Sequence, residues 1–186
     1  MAGNTGQNRQ ADLIHRLRSG ERRAFAEFVE KYQQQIFLCC RTLGLNTAEA
    51  EDVASETFLA VYQGIGKYTG KAKLSTWLWK ITYNKAISYL RQKIRNYKLQ
   101  QNLQSHYKDE QTAAPSGDDN AEIVWDTVKK LPQDQAMAIV LFYRQEKSIK
   151  EIADITKKSQ NTVKTNLFRG REKLKELLGD KIERLC

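Results

Sequence analysis

The sequence predicts an all-α protein made of two small helical domains joined by a flexible linker. Three observations carry this: apolar residues recur at helical spacing in both halves, no alternating strand pattern competes with them, and a polar stretch lies between. The 186 residues are 40% apolar and 28% charged with only two prolines, the composition of an ordered, helix-rich chain. The expected divisions are 1–95 for the first domain, 96–121 for the linker and 122–186 for the second domain.

Leu13, Ile14 and Leu17 mark a short amphipathic helix, and Ala24, Phe25, Phe28, Val29, Tyr32, Ile36 and Phe37 a long one, with Ser19-Gly20 between them. Thr47 is the expected N-cap of a third helix, which runs through Val53, Phe58 and Val61 to Ile65 before Gly64, Gly66 and Gly70 break it. Ser75 then caps a helix carrying Trp77, Leu78, Ile81, Ile87 and Leu90 to about Ile94. From 97 to 120 the composition is too polar to bury a core, which reads as linker. Periodicity returns at Ile123, Val124, Thr127, Val128 and Leu131, and Pro132 fits the first turn of a helix ending near Arg144. Two further helices are expected over 148–156 and 160–178.

The net charge of +9 is unevenly placed. Between Glu56 and Asp109 stand ten Lys or Arg and no acid, whereas 42–66 holds Glu49, Glu51, Asp52 and Glu56 and no Lys or Arg. Two surfaces of opposite sign imply two partners, one of them polyanionic. The longest apolar run, 136–143, is eight residues, far below the ~20 that span a bilayer, and the N-terminus lacks a signal-peptide core. No membrane insertion and a cytoplasmic location are expected. Cys39 and Cys40 are adjacent and Cys186 ends the chain, which gives no zinc spacing or disulfide framework; the first two read as core filler. His15 and His106 are isolated, and the glycines at 64, 66 and 70 have the wrong spacing for a dinucleotide or phosphate loop. No catalytic constellation, cofactor, metal or small-molecule substrate is expected.

Residues 149–171 have the layout of a helix-turn-helix. Ala153 is the small residue of the first helix, flanked by Ile149, Ile152 and Ile155; Val163 and Leu167 point inward from the second, leaving Lys164, Thr165, Asn166, Phe168 and Arg169 outward. Ser159 caps the second helix and offers its N-terminus to a phosphate. Lys157 occupies the turn position that favours glycine, at a cost of roughly 1 kcal/mol.

The segment Glu151-Ile-Ala-Asp-Ile155, with Asn161-Thr-Val-Lys-Thr165 and Phe168-Arg-Gly-Arg-Glu-Lys-Leu174, resembles region 4 of bacterial sigma factors of the extracytoplasmic-function (ECF) group in the sigma-70 family. Ala48-Glu-Ala-Glu-Asp-Val53 and Glu56-Thr-Phe-Leu59 resemble that group's region 2.2; Leu74-Ser-Thr-Trp-Leu78, Ile81-Thr-Tyr-Asn84 and Tyr89-Leu-Arg91 resemble regions 2.3 and 2.4. The resemblance covers nearly all of 10–95 and 122–178. Ser55, Ser88 and Asn166 depart from it, standing where the family commonly has Gln, Asp and Arg.

This resemblance implies a transcription initiation factor that binds core RNA polymerase, directs it to promoter DNA and helps open the duplex, under control of an anti-sigma factor. It implies polymerase binding by Glu51, Asp52, Ser55 and Glu56. It implies contacts to the minus-10 element from Lys67, Tyr68, Lys71, Lys73, Ser75, Trp77, Lys80, Asn84, Lys85, Ser88 and Arg91, with the loop 67–75 cradling a flipped base. It implies minus-35 contacts from Ser159, Thr162, Lys164, Thr165, Asn166, Phe168, Arg169 and Arg171. Of the aromatics interleaved with lysines, namely Tyr68, Trp77, Trp79, Tyr83 and Tyr89, several belong to the core, and Trp77 shares a face with Ile81. The residues alone leave two rivals: a self-sufficient helix-turn-helix regulator and a single-strand nucleic-acid chaperone.

Overall fold

The computed structural model describes the backbone of residues 3–101 and 119–179, and side chains within 10–97 and 124–179. His106, Cys186 and the middle of the expected linker lie outside the described residues. The helices are α1 (Gly3–Arg18), α2 (Arg22–Thr42), α3 (Thr47–Gly64), α4 (Leu74–Gln101), α5 (Asp119–Val128), α6 (Gln133–Ile139), α7 (Ile149–Thr156) and α8 (Gln160–Leu178). A 3-10 turn at Ile65–Lys67 follows α3, and a wider π turn at Val140–Arg144 extends α6.

Several helix ends differ from expectation, by a single residue at some and by about two turns at the end of α4. Asn46, not Thr47, caps α3: its side chain accepts from the Glu49 N–H at 2.9 Å and Glu49 Oε2 accepts from the Asn46 N–H at 2.8 Å. Ser75 lies inside the first turn of α4, because the Lys73 carbonyl already accepts the Trp77 N–H at 3.0 Å. Pro132 precedes α6 as its N-cap, and its carbonyl accepts from Ala136. α4 continues to residue 101 and α5 begins at 119, so helix enters the segment read as linker from both sides.

α2, α3 and α4 pack side by side with α1 against α2; α6, α7 and α8 form a second group with α5 against α8. The periodic residues are the core: Phe28, Ile36, Val53, Val61 and Leu78 in the first group, Met137, Leu141, Ile152, Ile155 and Val163 in the second. Each such side chain contributes roughly 1.5–3 kcal/mol by leaving water. The groups also meet: α7 packs on α4, α5 and α6 touch α2, and the buried apolar residues form one continuous cluster. Trp79 is the large α4 aromatic that is fully buried, at 1% exposure, whereas Trp77 is half-buried against Tyr68 with ring centroids 5.2 Å apart. Covered by α3 on one side and α7 on the other, α4 has two buried faces, and a single apolar stripe does not describe it.

Candidate nucleic-acid interface

α7 and α8 form the helix-turn-helix. Ser148 and Glu151 make a reciprocal capping box at the start of α7, and Ile152 and Ile155 are buried beneath it. Lys157 holds the turn in the left-handed region, φ 56° and ψ 34°. Ser159 Oγ then accepts the Thr162 N–H at 3.1 Å, starting α8. Val163, Leu167 and Gly170 face inward; Lys164, Thr165, Phe168 and Arg169 are exposed, Phe168 by 64%. Asn166 is half-buried on the edge of this face. Thr165 donates to its own helix at the Asn161 carbonyl, so its methyl is the part left to present. Arg171 is held in place: its Nε donates to the Tyr143 hydroxyl at 2.7 Å and its guanidinium lies 5.5 and 5.4 Å from the ring centroids of Phe142 and Tyr143.

On α4, Lys80, Asn84, Ser88 and Arg91 recur at spacings of four, four and three and form one exposed polar stripe without an acid. Beside it a cavity of about 380 Å³ is lined by Ile81, Asn84, Lys85, Ser88, Tyr89 and Gln92 of α4 and by Glu56 of α3. Lys67, Lys71 and Lys73 are exposed on the loop leading into α4. The loop does not present Tyr68, however. That ring is only 6% exposed, its hydroxyl donates to the Ala72 carbonyl and its own carbonyl accepts from Arg18. Tyr68 therefore shapes the loop from beneath, and burial pushes its phenol pKa up. Trp79 likewise cannot meet a base. The partly open aromatics on α4 are Trp77, Tyr83 and Tyr89, and Tyr97 near its end is exposed.

The acidic stripe of α3 comprises Glu51, Asp52, Ser55 and Glu56, all exposed. Glu56 is paired with Lys85 at 3.0 Å, and Glu49 with Lys93 at 2.9 Å, so two of the helix's acids are tied to the basic helix. Beyond the residues expected from the sequence, this stripe continues through Leu59 and Tyr62, which are 56% and 57% exposed. A signal was present: α3 carries apolar residues at 58, 59, 61 and 62, and one face cannot bury all of them.

Cys39 and Cys40 are fully buried; burial, and for Cys39 its neighbour Cys40, raises both thiol pKa values, Cys40 to about 12. They are inert fillers. Among the described residues no group of three His, Cys, Asp or Glu is placed to hold a metal, and no helix is long and apolar enough to cross a membrane.

Family models for Sigma-70 region 2 and for Sigma-70, region 4 match residues 28–96 and 121–174. The ECF RNA polymerase sigma factor SigW of Bacillus subtilis is 35% identical over 188 aligned residues, covering 90% of this chain and 95% of that protein. The ECF RNA polymerase sigma-E factor of Haemophilus influenzae is 30% identical, covering 86% and 90%. Among solved structures, the sigma factor RpoE in complex with the anti-sigma factor NepR from Bartonella quintana shares the fold, with a TM-score of 0.66 at 21% identity over 82% of this chain and 96% of that one. Two matched regions in the right order, carried on an acidic helix, a basic stripe and a helix-turn-helix, make this chain a member of the ECF group of the sigma-70 family, a promoter-specific transcription initiation factor of RNA polymerase.

Proposed function

We propose that the three exposed faces divide the labour of initiation. α3 docks on core polymerase through Glu51, Asp52, Ser55 and Glu56, extended by Leu59 and Tyr62. The loop 67–75 and the Lys80, Asn84, Ser88 and Arg91 stripe take the minus-10 element and its displaced strand. α8 takes the minus-35 element in the major groove through Lys164, Thr165, Asn166, Phe168 and Arg169, with Ser159 and Thr162 near phosphate. Residues 1–95 and 122–186 act as separate units in this scheme.

The observation that carries the reading is the opposed charge of adjoining helices: an acidic outer face on α3 and an acid-free outer stripe on α4, with a second basic face on α8. Acid repels the DNA backbone and suits a basic protein surface, whereas an acid-free stripe meets phosphate. Arg169 is fully outward and suits a bidentate guanine contact; Arg171, anchored on Tyr143, suits a fixed phosphate contact. The polymerase supplies the chemistry and this chain supplies position and strand capture. An anti-sigma protein is its controlling partner, as the relative crystallised with NepR suggests, and its place of action is the cytoplasm.

The test is transcription in vitro by core polymerase on DNA of the source organism, with transcripts sequenced. Adding the chain should yield start sites that share upstream sequences at minus 10 and minus 35. No added transcripts from a folded sample would sink the reading.

A further inference from the structure

The last turn of α1 is pinned by a charged clamp. Arg16 donates from Nε and Nη2 to the two carboxylate oxygens of Glu21 at 2.9 and 2.8 Å, and from Nη1 and Nη2 to those of Glu27 at 3.1 and 3.0 Å. Glu21 precedes α2 and Glu27 lies on it, so the clamp ties the end of α1 to α2. Leu17, the next residue, anchors the same turn in the core at 5% exposure. Arg18 follows on this fixed base. It reaches 50 positions along the chain, where its Nη2 donates to the Tyr68 carbonyl at the start of the loop 67–75. α1 also packs on the 3-10 turn Ile65–Lys67 that leads into the loop, and it precedes the residues, 28–96, that the region 2 family model matches.

Tyr68 is the strut of that loop. Its ring is buried against Trp77 and its hydroxyl donates to the Ala72 carbonyl, four residues on. Burial raises the phenol pKa and the Arg18 charge opposes that rise, so the guanidinium lies close to the residue as a whole. With the ring fixed, the freedom left at this point is the orientation of the 68–69 peptide plane. Arg18 holds that plane by its oxygen. Gly70, at φ 76°, lacks the Cβ that would resist a re-orientation of the loop from within. Lys67 and Lys71 stand exposed on either side, so the plane decides where both are aimed.

We propose that Arg18 is a positioning residue for strand capture: from α1 it locks the 68–69 peptide, so that the loop is already shaped for an unpaired base before DNA arrives. The role rests on the assignment of the loop to the minus-10 strand. A loop ordered in advance does not lose that entropy at the moment of binding, and this is the affinity that Arg18 contributes. A direct phosphate contact by Arg18 would leave a different signature. It would release counterions, and its loss would reduce the salt slope on a single strand by roughly 0.7, whereas loss of a positioning residue leaves the slope unchanged.

The test compares the full chain with Arg18→Ala and Arg18→Lys. Arg18 is exposed and both replacements suit a helix, so thermal unfolding should be little changed. In the free chain, hydrogen exchange read by mass spectrometry over 66–74 should be about fivefold faster in Arg18→Ala, with α8 unaffected. Assembled with core polymerase, Arg18→Ala should bind a single-stranded oligonucleotide carrying the minus-10 sequence of a promoter found by transcript sequencing about fivefold more weakly. Its salt slope and its affinity for core polymerase should not change, and Arg18→Lys, which keeps a donor on a long stem, should recover most of both losses. Unchanged exchange in Arg18→Ala overturns the brace itself. Faster exchange with a slope reduced by roughly 0.7 overturns positioning in favour of direct contact. Lys71→Ala separates the two remaining failures. If neither it nor Arg18→Ala weakens oligonucleotide binding although exchange rises, the loop does not meet the strand and the role of Arg18 falls with that assignment. If Lys71→Ala weakens binding and Arg18→Ala does not, the loop assignment stands and the positioning role alone falls.

Discussion

Lys157 and Glu146 are the non-glycine residues with positive φ among the described residues, at 56° and 49°, and they bracket α7 on either side. A left-handed L-residue costs about 1 kcal/mol relative to glycine, so Lys157→Gly should raise stability by up to about that amount. Urea unfolding monitored by circular dichroism checks this. Gly170 has the opposite logic: a Cβ there would come within 3.1 Å of Ile139 Cγ1, inside the crossing of α6 and α8. Gly170→Ala should destabilise by about 1–3 kcal/mol by overpacking, read in the same titration as an earlier midpoint. The first of these positions was legible in the sequence, because the turn of a helix-turn-helix demands a particular backbone. The second was not, because nothing in Phe168-Arg-Gly-Arg171 says which side another helix will cross. Tyr68 shows the same gap. Its place among lysines suggested an exposed base-stacking ring, and only the packing under the loop turns it inward.

At the level of elements, the helices were readable from apolar spacing and their faces from charge, but α4 shows the limit. Thr76 and Tyr83 lie on its flank toward the second half, with Trp79 between them. Thr76 bonds to Glu151, and the charges of Lys158 and Asp134 act on the Tyr83 phenol, whose pKa is raised mainly by burial. A sequence shows one helix's pattern, not the number of neighbours that will cover it. For α3, Asp52→Lys reverses charge in the middle of the proposed docking stripe and should weaken core polymerase binding about tenfold, a change of about 1.4 kcal/mol. Native-gel or fluorescence titration against core enzyme measures it, and unchanged affinity would move the docking face elsewhere. For α8, Lys164→Ala should weaken promoter binding on all sequences and lower the salt slope by roughly 0.9. Arg169→Ala should cost about 1–3 kcal/mol and relax preference at one upstream position. Equal losses on every template for both would remove Arg169 from the base-reading set.

At the scale of the whole molecule, apolar periodicity returns at 123 after the polar stretch, and the two family models match residues 28–96 and 121–174. The docking of one half on the other was not legible, since it rests on ordinary residues, Lys73, Ser75, Thr76, Lys147 and Glu151, that have no pattern of their own. Glu151 also carries a pH signature. Burial alone would raise its pKa, but hydrogen bonds from Ser148 and Thr76 and the charge of Lys73 outweigh it and hold the carboxylate at about 2. A depressed acid stabilises fully above its unfolded value of about 4.5 and loses that contribution as pH falls toward about 2. The α7 cap and the bond to Thr76 should therefore weaken over that window, and the Glu151→Gln variant should show less of the change when urea unfolding is repeated across that pH range.

In the proposed division of labour this chain gives core polymerase both promoter choice and strand opening, the latter through the outer stripe of α4. The most direct measurement places 2-aminopurine in the minus-10 element of a promoter found by transcript sequencing, and follows its fluorescence with core polymerase and this chain. That division of labour requires a rise that depends on both proteins and falls about tenfold or more in rate for Lys80→Ala plus Asn84→Ala, while binding to a minus-35 duplex is retained. Opening at an unchanged rate in that variant would contradict it.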